Sequence, residues 1–135
     1  MISLATYFMG RDTTHAKELI DEIQRNAQVT VDRVNQLLDR AGRTGVDTVN
    51  SGWRPQGVND ATSNAAKNSR HLTAEAVDLA DPDRALARWC LDHLDDLKEI
   101  GLWMEDFSWT LDWVHLQTVP PGSGKVVFIP NNSPP

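Results

Sequence analysis

Ser69-Arg70-His71-Leu72-Thr73-Ala74-Glu75-Ala76-Val77-Asp78 is the stretch from which the rest of the chain can be read. Six residues separate His71 from Asp78, too many for one helical face and too many for neighbours on one strand. A tight turn after His71, leading into a strand that carries Asp78, solves the spacing, and Ala74 to Leu79 alternates weakly as a strand does. Further on, Trp113-Val114-His115-Leu116-Gln117 reads as another strand, with Trp113 and Gln117 on the face of His115. Two histidines and one aspartate are the usual protein share of a catalytic zinc site, whose fourth position stays open for water. Asp112, three residues before His115, is an acid of the kind a metal-assisted hydrolysis needs for its proton transfers. In a regular strand residues 112 and 115 point to opposite faces, so Asp112 must precede the strand or sit at a bulge. Glu105 is the reserve candidate for the base, and its other reading is a solvated turn residue. If the three ligands do not converge, His71 reads as a buried histidine bonded to a backbone carbonyl and Asp78 as a capping residue.

The surrounding composition narrows the class. With 135 residues, 40% hydrophobic and 24% charged, the chain is expected to form one globular domain over 1–135. Its 13 Lys and Arg are scattered and its net charge is −6, which argues against a nucleic-acid partner. The single cysteine, Cys90, excludes an internal disulfide and a Cys-rich zinc site, and beside Trp89 it reads as a small buried hydrophobe. No apolar run approaches the roughly 18–20 residues of a membrane span. Met1 to Gly10 lacks a basic segment and a long apolar core, which predicts synthesis in the cytoplasm without a signal peptide.

Apolar residues recur at steps of three and four from Ala16 to Ala41, predicting a helix over 13–41 or two helices broken near Gln28 to Thr30. Asp12 and Thr13 are the N-cap candidates and Gly42 the stop. Val46 to Ser51 reads as a short strand. Gln56 to Ser69 reads as a loop with a helical turn at Asp60 to Lys67. Asp81-Pro82-Asp83 has the form of a helix start, followed by one helix closed near Gly101. Leu102 to Met104 and Trp113 to Val119 read as strands, linked by Glu105 to Trp109. Lys125 to Ile129 reads as an edge strand and 130–135 as a loose tail. The order predicts an α+β fold: a small antiparallel sheet packed on N-terminal helix or helices, with one helix inserted between strands. His15 and His93 read as helix-surface residues. Most of the five tryptophans read as core, with Trp53 and Trp109 as candidates to line a groove.

Ser51-Gly52-Trp53-Arg54, Asn59, Ser69-Arg70-His71-Leu72 with Ala76 and Asp78, and Asp112-Trp113-Val114-His115 resemble, in this order, the motifs of one peptidase family. That family holds the zinc D-alanyl-D-alanine carboxypeptidases and L-alanyl-D-glutamate endopeptidases of bacteria and phages. Its pattern is Ser-Gly-Tyr-Arg, then Ser-x-His-x-x-Gly-x-Ala-x-Asp, then acid-x-x-His. The similarity covers about residues 30–119. The resemblance implies a DD-peptidase/hedgehog-like zinc fold with core motifs in 46–119 and one zinc ion per chain, held by His71, Asp78 and His115. It makes Asp112 the catalytic acid/base, and Arg54 the cation for the substrate or the developing oxyanion.

This chain departs from the pattern at Ala74, Trp53, Pro55 and Asp112, the last an Asp rather than Glu, which occurs in parts of the family. Ala74 stands for the usual Gly, tolerable if the backbone there does not need positive φ. Trp53 stands for Tyr and Pro55 for the usual Ser. Ser69 is expected to support the metal site by a hydrogen bond rather than to act as a nucleophile.

The resemblance thus implies a monomeric peptidase acting on the peptide stem of peptidoglycan, with no membrane partner. The lack of a signal peptide suits an endolysin or virion protein that reaches the cell wall after release. The competing reading is a non-catalytic, zinc-containing wall-binding or virion module of the same fold. Such a module has no need of both Arg54 and Asp112.

Overall fold

The computed structural model describes residues 1–62, 65 and 69–130. Of the expected tail only Pro130 is described, and the end of the turn expected at Asp60 to Lys67 also lies outside the described residues. The architecture is mixed α+β, with five short strands and helices gathered around one apolar core. The helices are α1 (Leu4–Phe8), α2 (Arg11–Thr14), α3 (Asp21–Arg40), α4 (Gln56–Ala61), α5 (Ala85–Asp92) and α6 (Leu94–Ile100). The strands are β1 (Val49–Ser51), β2 (Ala76–Ala80), β3 (Trp103–Glu105), β4 (Trp113–Gln117) and β5 (Val127–Phe128), in the spatial order β1-β2-β4-β3-β5. Among the described residues no helix is long and apolar enough to cross a membrane.

The 3.6-residue period is realised in α3. Ala27, Val31, Val34, Leu37 and Leu38 form its buried stripe. The helix starts later than expected. Asp12 and Thr13 lie inside the separate short helix α2, and a 3₁₀ turn at Ala16–Glu18 follows. Ile20 is extended, and Asp21 and Glu22 put acids in the first turn of α3, where the helix dipole favours them. The run continues through Gln28 to Thr30 without a break. Gly42, at φ +75, ends the helix: its N–H donates to Asp39 O and the Arg43 N–H to Leu38 O, the paired bonds of a Schellman motif.

Further expectations are corrected. The insertion between β2 and β3 is two helices, parted at His93, where φ is −134 and ψ is 45. His93 is therefore a helix break whose ring stacks on Trp89 at 4.1 Å between centroids. The first of these helices begins at Ala85, because Arg84 takes a left-handed conformation, anchored by donation to Trp113 O at 3.0 Å and Phe107 O at 3.1 Å. Asp81 still caps it, its carboxylate accepting from Leu86 N at 3.0 Å and Ala87 N at 2.9 Å. The sheet is also not wholly antiparallel, since β5 runs parallel to β3.

Alternation divides the sheet into two faces. Val77, Leu79, Met104, Val114 and Leu116 join the helix residues in the core. Ala76, Asp78, Ala80, Trp113, His115, Gln117, Trp103 and Glu105 occupy the other face. Cys90 is buried in the core on α5, and burial pushes its thiol up to about 12. Trp53 is also core, 1% exposed and edge-on to Phe8, so it does not line a groove. Trp89, Trp103 and Trp113 are half-buried rather than core, and Trp109 is 47% exposed.

Gly52 marks where the N-terminal helix meets the sheet. A Cβ there would lie 1.9 Å from Tyr7 O, in backbone that has nowhere to go. Tyr7 is itself fully buried and donates its hydroxyl to Ala76 O at 2.8 Å. Gly52→Ala should therefore lower the unfolding free energy by about 3 kcal/mol, the upper end of overpacking costs. Urea unfolding followed by far-UV circular dichroism checks this, and a midpoint equal to wild type would refute the contact.

Candidate metal centre

The site is assembled as one row across the sheet. β1 carries a register shift between Val49, opposite Leu79, and Ser51, opposite Asp78. That bulge brings Ser51 onto the row of Asp78. Asp78 is in turn directly opposite His115. Met104 pairs with Leu116, so the next step of the same ladder sets Glu105 beside His115, and Glu105 pairs with Phe128 on β5. Ser51, Asp78, His115, Glu105 and Phe128 thus span all five strands.

His71 is added from outside the sheet. The 3₁₀ turn Arg70–Thr73, capped by Ser69 Oγ accepting from His71 N at 3.2 Å, lifts it over the row. Ser69 thus supports the turn that carries His71, through the backbone and not through the ring. The turn closes through Ala74 at φ +60, so the backbone does need the left-handed region here and alanine meets the requirement glycine would meet freely. The cost is about 1 kcal/mol. Helix α3 secures the conformation: Thr30 Oγ1 donates to Ala74 O at 2.7 Å and Asn26 Nδ2 to Thr73 O at 3.0 Å. Three bonds stitch the turn to the Ser51–Arg54 motif. They are Arg54 N to His71 O at 2.9 Å, Trp53 Nε1 to Leu72 O at 3.2 Å, and His71 Nδ1 to Gly52 O at 2.8 Å.

His71, Asp78 and His115 converge. His71 Nε2 lies 3.3 Å from Asp78 Oδ2, and His115 Nδ1 lies 2.9 Å from Asp78 Oδ1. One ligand atom from each residue falls within 4.8 Å of the others, and among the described residues no other group of His, Cys, Asp or Glu does so. A tetrahedron with zinc–ligand distances of about 2.0–2.2 Å has edges of about 3.3–3.6 Å. The cluster is within reach of that spacing, and two imidazoles and a carboxylate are a donor set that suits zinc. His71 does bond a backbone carbonyl, as the non-metal reading held. That bond also leaves its Nε2 facing Asp78, as a ligand requires.

Arg54, 9% exposed, compensates the buried carboxylate. Its Nε donates to Ser51 Oγ at 2.8 Å, Nη1 to Asn59 Oδ1 at 3.3 Å and Nη2 to Asp78 Oδ2 at 3.5 Å. Among the described residues these bonds use three of its five N–H groups. Asp112 lies just before β4, the position expected if it is to turn away from the strand's alternation. Its backbone carbonyl accepts from Asp81 N at 2.8 Å, and its side chain is exposed. Among the described residues the Asp112 carboxylate makes no hydrogen bond or ion pair to the cluster. Glu105 is no solvated turn residue. It ends β3, half-buried, and burial raises its carboxyl; His115 opposes that shift while Asp78 and Asp106 add to it. Gln117, two residues past His115, accepts from His115 Nε2 at 2.9 Å. Gln117 was visible in the sequence as a face-mate of His115, and strand alternation was the signal for its place beside the ring.

Residues 4–116 match a model of the peptidase M15 family. The chain belongs to this family of zinc peptidases that act on peptidoglycan. Comparison with curated proteins and with solved structures found no match.

The cluster's charges give it a distinct titration when free of metal. Burial lowers His71, only partly offset by Asp78. Burial also opposes charge on His115, but the bond to Asp78, the charges of Asp78 and Glu105, and the bond to Gln117 outweigh it and raise its value. Burial would raise Asp78, but His71 and His115 hold it far below the usual carboxylate range. His115 thus stabilises the metal-free fold below about pH 6.5 and ceases to as pH rises through its folded value. His71 has the opposite sign, withdrawing stability as pH falls below about 6.5. An NMR titration of the metal-free protein should find His115 protonating above, and His71 below, the ordinary histidine value. The reverse order would contradict the bonding described here.

Proposed function

We propose that the chain is a zinc-dependent peptidase hydrolysing an amide bond in the peptide stem of bacterial peptidoglycan, of the D-Ala-D-Ala carboxypeptidase or L-Ala-D-Glu endopeptidase type. The observation that carries the reading is the convergence of His71, Asp78 and His115, backed by the Arg54 guanidinium, in a chain of the peptidase M15 family. The five-stranded sheet and its helices support placing it with the DD-peptidase/hedgehog-like zinc folds, as one domain.

His71 Nε2, the Asp78 carboxylate and His115 Nδ1 are the groups that would hold zinc. Zinc bound there supplies Lewis acidity, activating water and polarising a carbonyl. The protein's own groups do the rest. The Arg54 guanidinium is the group proposed to meet a substrate carboxylate or charge developing on the carbonyl oxygen, and its burial strengthens either interaction. Asp112, at the head of β4, is the proposed acid/base that takes a proton and returns it to the leaving amine. Glu105, in the row beside His115, is the other carboxylate within the site's field.

Purified sacculi should release peptides or D-alanine in a reaction stopped by chelator and restored by zinc. Mass spectrometry of the released muropeptides identifies the bond. Asp112→Asn should keep zinc and lose about 10²-fold or more in kcat. Full activity in that variant, with loss in Glu105→Gln, would assign the proton transfers to Glu105 instead. A folded, zinc-loaded protein that releases nothing from any sacculus type would overturn the peptidase reading.

A further inference from the structure

Both histidines of the cluster have two ring nitrogens, and only one of each faces Asp78. For His71 the other nitrogen is held by a main-chain carbonyl, Gly52 O, at 2.8 Å. A carbonyl only accepts, so His71 Nδ1 carries the proton and Nε2 is left with its lone pair. His115 is held the other way round. Its Nδ1 faces Asp78 at 2.9 Å and its Nε2 faces Gln117 Oε1 at 2.9 Å.

A glutamine amide can turn either its oxygen or its nitrogen towards a partner, so this contact alone does not fix the proton. The far end of the side chain does. Gln117 Nε2 lies 2.8 Å from Val119 O, an acceptor that requires an N–H. Flipping the amide would set two oxygens against each other there. Gln117 is 6% exposed, so water is a poor substitute for either bond. With the amide pinned, its oxygen must accept, so His115 Nε2 carries a proton; Asp78 Oδ1 likewise accepts from Nδ1 in the metal-free protein, and a bound cation would take the place of that second proton.

We propose that Gln117 is a positioning residue for the metal centre: anchored by Val119 O, it fixes the His115 tautomer and ring so that Nδ1 is the coordinating nitrogen. The proposal rests on the metal-centre reading of His71, Asp78 and His115 but on no particular substrate. It also has a chemical consequence. The bonds behind the ligating nitrogens end on a backbone carbonyl and a neutral amide. Neither adds the negative charge that a carboxylate behind a ligating histidine would, and such charge raises ligand basicity. Asp78 is then the sole anion of the ligand set, and Arg54 stands against it.

The test uses the whole chain with zinc as the only probe. In the wild-type zinc complex, long-range ¹H–¹⁵N correlation should show His115 bound through Nδ1, with a slowly exchanging proton on Nε2. Gln117→Leu should weaken zinc about 10- to 100-fold, the usual effect of losing a partner behind a metal ligand. Gln117→Glu keeps an acceptor for His115 Nε2 but sets its second oxygen against Val119 O, so it should recover only part of the affinity. The thermal midpoint of the metal-free variants separates this from general loss of fold. Binding through Nε2 of His115 in the wild-type protein overturns the proposal, as does unchanged zinc affinity in a folded Gln117→Leu. Should Gln117→Leu not fold, the wild-type spectrum decides alone. Uncleaved sacculi beside the expected zinc results would remove the peptidase reading and leave Gln117 in place; cleavage with Nε2 bound would do the reverse.

Discussion

The direct pairing of Asp78 on β2 with His115 on β4 is the constraint on which the rest of the structure turns. The side-chain period of a strand is two, so a one-residue slip would move every residue of β4 to the wrong face. The site would lose His115, and the core would lose Val114 and Leu116, both buried. The same register that assembles the metal centre therefore buries the apolar side of the sheet. Five consecutive pairs hold it, from Ala76 with Gln117 to Ala80 with Trp113. Fold and site are selected by one ladder, and burial of the apolar face supplies the free energy that keeps the polar face in order.

That polar face is costly. Asp78 is 9% exposed and has Arg54, His71 and His115 around it. A buried carboxylate needs such partners, because removing it from water costs several kcal/mol. The metal-free cluster meets the need with hydrogen bonds and with the charge of Arg54. A cation bound between the ligands would meet it more fully, which couples metal binding to stability. The close approach of Gly52 to Tyr7 belongs to the same device. It brings the Ser51–Arg54 segment tight against the buried end of α1, so Gly52 O is already in place for His71 and the guanidinium for Asp78.

What could be read in the sequence was set by local pattern. The stripe of α3, the strands around Asp78 and His115 and the stop at Gly42 follow from periodicity and turn chemistry. The ligand set needed the ordered motifs as well, since no spacing rule brings His71, Asp78 and His115 together. The misreadings share a cause: a tertiary contact overrode a local signal. Asp81-Pro82-Asp83 has the form of a helix start, but Arg84, drawn to the carbonyls of Trp113 and Phe107, delays the helix to Ala85. Trp53 took its place in the core because Phe8 and Leu72 O receive it. Glu105 resembled a turn residue because β3 is three residues long, and only its pairing reveals the row it ends.

The row also has a direction. Arg54 is attached at the β1 end, through Ser51 and Asp78, while Glu105 and Phe128 close the β5 end. Asp112 lies just before β4 with its side chain exposed. Positive charge thus lies to one side of the three ligands and the Glu105 carboxylate lies to the other. Amide hydrolysis has the same polarity, with negative charge growing on the carbonyl oxygen and a proton needed at the departing nitrogen. On the proposed reading, a scissile bond laid along the row would turn its oxygen towards β1 and its amine towards Glu105. Half-buried Trp113 and Trp103 stand to either side of His115 on this face. The direction of the substrate across the sheet would then follow from the strand order β1-β2-β4-β3-β5 itself.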